Sequence, residues 1–172
     1  MSERLFFALW PDESTRARLA DAARILYGEC GGKKTKAESI HLTLVFLGEV
    51  ETGKVGLLRG IASRIAESAF EVRMDRAGYW KHNRIVWAGM TTIPPELGRL
   101  VTVLQQGLRV GGFEFDGRAW FPHVTLVRKA DAPRIDPDFQ AFSWPVSEFC
   151  LAASTASGYA ILDKWLLPAP QR

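Results

Sequence analysis

Apolar residues fall along this chain in short bursts and in helical stripes, and the two alternate. Residues 4–9, Arg-Leu-Phe-Phe-Ala-Leu, form a short apolar run closed by Pro11, which predicts a buried strand. Thr15, Leu19, Ala22, Ala23 and Leu26 then recur at three- and four-residue spacings, one apolar face of a helix over residues 12–27. Gly28, Gly31 and Gly32 are the expected stop. A basic loop with Lys33, Lys34 and Lys36 leads to a second strand over residues 40–47. From Thr52, the residues Val55, Leu58, Ile61, Ala62 and Ile65 mark one side of a second helix. Gly53, Gly56 and Gly60 each weaken it by roughly 1 kcal/mol relative to Ala, so packing must supply the difference.

Strands are predicted over residues 70–79 and 84–90, joined by the turn-like Lys81-His82-Asn83. A third helix begins near Pro94-Pro95 and aligns Leu97, Leu100, Val101, Leu104 and Leu108. Further strands fall over 122–127, 148–153 and 159–165. Hairpins mixed with helical crossovers describe an α+β fold, not a doubly wound parallel sheet.

The 172 residues, 47% of them hydrophobic, suit one domain with a sizeable core. Ten phenylalanines and six tryptophans exclude disorder as the main state. The apolar run near the start, residues 5–10, is too short for a membrane span or a signal peptide, so a cytoplasmic protein with no membrane partner is expected. Two cysteines, Cys30 and Cys150, make neither a disulfide framework nor a zinc knuckle. The net charge of +3 permits a polyanionic partner without arguing for one.

One internal repeat outweighs the rest. His41-Leu42-Thr43-Leu44 and His123-Val124-Thr125-Leu126 both read His-x-Thr-Leu, and only three histidines exist. Given the Thr and Leu content, two of three histidines carry this motif by chance about once in ten thousand sequences. In a strand, residues i and i+2 share a face. His41 and Thr43 therefore lie opposite Leu42 and Leu44, and His123 and Thr125 lie opposite Val124 and Leu126. Each motif would anchor a strand with two aliphatic side chains and offer an imidazole and a hydroxyl on the other side.

Two facing imidazoles suit displacement at phosphorus. The unperturbed imidazole pKa of about 6.5 lets both protonation states exist near neutrality. One ring can take a proton from water while the other gives one to the leaving oxygen, and the two threonine hydroxyls would hold the nonbridging oxygens. A zinc site is the other use of paired histidines, but no spaced third ligand presents itself.

With Ile40 before the first motif and Pro122 and Val127-Arg128 around the second, the paired motifs resemble the two-histidine phosphoesterase superfamily. Residues 4–9, the run Phe46-Leu47-Gly48-Glu49, and Trp80 followed by Val86-Trp87 resemble its RNA 2′,3′-cyclic phosphodiesterases, also called 2′–5′ RNA ligases. The resemblance covers essentially the whole chain. It implies a single bilobal domain over residues 1–172, with two pseudo-twofold-related lobes of mostly antiparallel sheet, helices packed outside and a central cleft. It further implies hydrolysis of a terminal RNA 2′,3′-cyclic phosphate to a 2′-phosphate without a metal, and reversible 2′–5′ joining of RNA ends; no cofactor and a monomer are expected. RNA, including tRNA fragments with such ends, is the implied partner. By the same resemblance His41 donates a proton to the departing 3′ oxygen, His123 activates water, and Thr43, Thr125 and Arg128 bind the phosphate. Spacing alone does not say which histidine does which.

Arg128 lies five residues after His123, an odd offset that puts it on the opposite face of a regular strand. It must reach the site from the strand end or past a bulge. His82, in its polar turn, reads as a surface residue, and Lys33, Lys34 and Lys36 as a solvated loop or a contact to an RNA backbone. Phe46, Trp80, Trp120 and Phe121 are core aromatics or stacking partners for a terminal base. Glu38, Glu49 and Asp131 are candidates to orient a histidine. Two readings stay open beside the main one: another two-histidine activity, on 2′–5′ oligoadenylate or a small cyclic phosphate, and a noncatalytic module that binds RNA ends.

Overall fold

The computed structural model describes residues 1–132 and 139–172. Strand β1 (Ser2–Leu9) opens the chain. Helix α1 (Glu13–Cys30) follows, capped by Asp12, whose side chain accepts the Thr15 N–H at 2.7 Å. Such a cap stabilises a helix by about 1 kcal/mol. The helix runs past Gly28 because its next inward position, Cys30, is buried; it ends at Gly31, which adopts φ 58° and donates to the Tyr27 carbonyl. The expected basic loop contains a two-residue strand, β2 (Lys33–Lys34), and a 3₁₀ turn at Ala37–Ser39 leads into β3 (Leu42–Glu51). Helix α2 (Val55–Ser63) and helix α3 (Pro95–Val110) bury the faces their leucines predicted.

The extended stretch at 70–79 is two strands and not one. It breaks at Asp75 into β4 (Phe70–Met74) and β5 (Arg76–Trp80), which join different sheets. The Asp75 carboxylate accepts the Thr91 N–H and hydroxyl and fixes that corner. Strand β6 (Ile85–Gly89) and strand β7 (His123–Arg128) follow, then β8 (Phe142–Val146), which the pattern did not predict. Strand β8 carries Pro145, which is tolerated because β8 pairs only with β4 in a two-stranded sheet. Strands β9 (Glu148–Thr155) and β10 (Gly158–Leu166) form the last hairpin.

The main sheet runs β10-β9-β1-β3-β7-β6-β5, with β2 beside β7, and all its pairings are antiparallel. Its two halves meet at one residue pair, Leu42 with Val124. These are the second residues of the two His-x-Thr-Leu motifs, and both are fully buried. Each motif strand also carries one extra residue at the same place. Across β1, Ala8 pairs with Thr43 and Phe7 with Val45, so Leu44 is the bulge. Across β6, Trp87 pairs with Thr125 and Val86 with Val127, so Leu126 is the bulge.

The helices cover one face of the sheet. Leu5, Phe7 and Leu9 of β1 join Leu42, Leu44, Val124 and Leu126 and the leucines of α1 and α3 in the main core. Phe6 and Ala8 point the other way, into a small cluster with Cys150 and Ala152. That second face is the floor of the cleft. No helix among the described residues is long and apolar enough to cross a membrane.

Candidate active site

A cleft of about 980 Å³ crosses the seam between the sheet halves. His41, Thr43, His123 and Thr125 all line it, while Leu42, Leu44, Val124 and Leu126 are buried on the helix side. The alternation expected of two His-x-Thr-Leu strands is therefore present in both copies. Antiparallel pairing of Leu42 with Val124 sets His41 across from Thr125 and Thr43 across from His123. The two histidines occupy diagonal corners of this quartet, positions whose backbones stand ~7–8 Å apart in a regular ladder.

The two rings are held alike. His41 Nδ1 lies 2.7 Å from the Ser39 carbonyl, and His123 Nδ1 lies 2.8 Å from the Phe121 carbonyl, in each case two residues upstream. A carbonyl only accepts, so Nδ1 carries the proton and Nε2 is the nitrogen left for acid–base work. None of the three candidate orienting acids holds an imidazole. Glu49 accepts the Ser2 hydroxyl, Asp131 pairs with Arg84, and the Glu38 side chain is exposed and makes no hydrogen bond to either imidazole. Main chain, not carboxylate, fixes both tautomers.

Aromatic rings wall each imidazole. Trp10 stacks on His41 with ring centres 4.8 Å apart and planes 14° apart, Phe6 lies at 5.1 Å, and Tyr159 meets the ring edge-on at 4.9 Å. His123 meets Trp80 edge-on at 4.6 Å. Burial is the main reason both imidazoles titrate low: His41 is pushed down to about 4, with the positive charges of Arg128 and His123 adding to the fall. His123 is also lowered, by burial first and then by Arg128.

Arg128 reaches the cleft because of the Leu126 bulge, which returns it to the side of His123 and Thr125. Lys33 and Lys34 pair through β2 with Arg128 and Val127, and with Lys36 and Arg4 they line the same cleft. Five cations thus face it, and none of the described lining residues is Asp or Glu. Phe46 and Trp80 also line it; Trp120 packs against the core and donates to the Thr43 carbonyl at 3.2 Å, and Phe121 is exposed beside Trp80. His82 is exposed in the turn after β5.

Sequence reasoning missed Trp10, Phe6, Tyr159 and Arg4. Residues 4–9 are too uniformly apolar to show that alternate positions face a cleft. A better signal lay in the terminal hairpin, where Tyr159 is the sole aromatic near an otherwise small and polar turn.

Two diagonal imidazoles with fixed tautomers, in a basic cleft with no Asp or Glu among its described lining residues, form the candidate active site. Comparisons with known proteins give the family. The family described as LigT-like phosphoesterase matches residues 9–87. The Escherichia coli K12 protein named RNA 2′,3′-cyclic phosphodiesterase is 37% identical over 96% of this chain and 97% of its own length. The protein of that name from Thermus thermophilus is 31% identical over 95% of this chain and 90% of its own. Among solved structures, E. coli LigT complexed with 3′-AMP superposes with a TM-score of 0.88 at 35% identity, covering 97% of this chain and 99% of that one. The chain belongs to the LigT-like phosphoesterase family of the two-histidine superfamily.

Proposed function

We propose that this protein hydrolyses the terminal 2′,3′-cyclic phosphate of RNA to a 2′-phosphate, with His41 and His123 as its acid–base pair and no metal. The observation that carries this reading is the convergence of both motifs on one cleft lined by five cations and, among its described residues, no carboxylate. Two relatives named for this activity support it, as does the 3′-AMP in the E. coli structure.

In the proposed reaction His123 Nε2 takes a proton from water as its oxygen attacks phosphorus, and the bond from phosphorus to the 3′ oxygen breaks. His41 Nε2 gives its proton to that oxygen. The product keeps the phosphate on the 2′ oxygen, and the exchanged ring protons restore the enzyme. Thr43, Thr125 and Arg128 hold the nonbridging oxygens. Burial keeps His41 neutral in the free enzyme at neutral pH. A phosphate anion set between the rings raises the pKa of its neighbours, so the substrate itself charges the donor. An RNA 5′ hydroxyl in place of water would join the ends through a 2′–5′ bond by the same bond changes. Cytoplasmic RNA cleavage products, tRNA fragments among them, would supply such ends.

The test is incubation of the purified protein with an oligonucleotide ending in a 2′,3′-cyclic phosphate, with and without EDTA. A 2′-phosphate product at equal rates is expected. A 3′-phosphate product, or loss of activity with EDTA, overturns the proposal.

A further inference from the structure

The two halves of the cleft correspond beyond their shared tetrapeptide. Residues 41–46, His-Leu-Thr-Leu-Val-Phe, match residues 123–128, His-Val-Thr-Leu-Val-Arg, at four of six positions, and both runs bulge at the same leucine. Phe46 and Arg128 therefore occupy equivalent places, three residues past a threonine and on the cleft side. Arg128 brings a guanidinium there by itself. Phe46 brings a ring, and Arg4 from the adjacent strand lays its guanidinium over that ring, 5.0 Å from the centre.

The two guanidiniums stand at different distances from the chemistry. Arg128 lowers the pKa of both imidazoles, as a cation close to them must. Arg4 lies two residues along β1 from Phe6, the ring that touches His41, a step of ~7 Å. Glu49 faces Arg4 across the strands but accepts the Ser2 hydroxyl instead, and among the described residues Arg4 makes no ion pair. A single cyclic phosphate carries one negative charge. With Arg128 at that phosphate, Arg4, Lys33, Lys34 and Lys36 remain in the cleft for further substrate.

We propose that Arg4, supported on Phe46, is a stacking platform for the base of the nucleotide immediately 5′ to the cyclic end, so that this protein acts on oligonucleotides in preference to mononucleotides. This rests on the cyclic phosphodiesterase reading above. A guanidinium held over an aromatic ring in the cleft offers a base a planar cationic group to stack on, the contact by which single-stranded RNA is gripped without sequence choice. Lys33, Lys34 and Lys36 on the opposite wall then face the backbone phosphate that joins the two nucleotides.

The experiment compares kcat/KM for adenosine 2′,3′-cyclic phosphate with that for diadenylate ending in the same cyclic phosphate. The wild-type protein is expected to favour the dinucleotide by about tenfold or more. Arg4→Ala should lower dinucleotide turnover by roughly ten- to a hundredfold, and by at least fivefold more than mononucleotide turnover. Arg4 is exposed, so the variant tests binding and not folding. Arg4→Lys, which keeps the charge and loses the flat surface, should fall with it. Equal losses on both substrates, no loss on the dinucleotide, or full activity of Arg4→Lys each overturn the platform while leaving the hydrolase reading intact. A wild-type protein that opens neither substrate overturns both.

Discussion

The Trp10 indole lies flat on the His41 imidazole, and its N–H reaches the Glu38 carbonyl at 3.2 Å, in the same short turn whose Ser39 carbonyl holds His41 Nδ1. One side chain therefore both covers the ring and pins the backbone that orients it. Trp10→Ala should let water reach His41 and raise its midpoint from about 4 toward 6.5, since burial is the main cause of the low value. Ring-proton NMR titration reads that shift. Looser orientation should lower kcat by about tenfold, since catalysis depends on holding the acid–base group in place.

The same burial makes stability depend on pH. His41 is held to about 4 in the folded protein, and an unfolded histidine titrates near 6.5. Between those values the unfolded chain binds the extra proton, so stability rises with pH and is lost as pH falls from 6.5 to 4. The loss from His41 alone is at most ~3 kcal/mol, and His123 contributes in the same direction. Urea unfolding at pH 7.5, 6, 5 and 4 should show the decline, and His41→Gln should flatten it.

In the proposed reaction, replacing either imidazole by alanine removes one proton-transfer partner. His41→Ala and His123→Ala should each lower turnover of an RNA cyclic end by roughly 10²–10⁴-fold while the fold persists, with the far-ultraviolet spectrum unchanged. Near-normal rates in either variant would remove that histidine from the reaction.

Gly78 on β5 lies under the Trp87 indole, and a Cβ there would come within 2.1 Å of a ring carbon. Trp87 in turn packs on Trp80, which meets His123. Gly78→Ala should cost ~3 kcal/mol, read by denaturant unfolding, because a well-packed interior does not absorb an added carbon. Pairing it with Trp87→Leu should recover part of that loss, as contacting sites are not additive.

The basic cleft predicts a salt-sensitive reaction on RNA. Log kcat/KM below saturation should fall linearly with log salt, with a slope of ~0.7 for each phosphate contacted. Replacing Lys33, Lys34 and Lys36 together by glutamine should flatten that slope while leaving the behaviour of a cyclic mononucleotide nearly as it was.

Periodicity showed the three helices and most strands because leucines at three- and four-residue spacings bury one face wherever the helix packs. The motif faces were legible for the same kind of reason, since a period of two puts His41 with Thr43 and His123 with Thr125 whatever the topology. Neither the break at Asp75 nor the strand at Phe142–Val146 could be read: an extended stretch looks the same when it changes sheets, and Pro145 looks like a breaker until its strand proves to have one neighbour. Parity placed Arg128 on the wrong face because a bulge is a matter of pairing, and nothing in Leu126 announces it. The orienting carbonyls of Ser39 and Phe121 were invisible for a deeper reason, since every residue has one.

That last point has a consequence for how this protein tolerates change. Where a carboxylate holds an imidazole, one substitution at the carboxylate scrambles the tautomer. Here the anchors belong to peptide groups, which no codon change can delete. The tautomers of the pair are therefore insulated from drift in the surrounding side chains, and the walls of the cleft can be rebuilt while its two Nε2 atoms stay presented as they are.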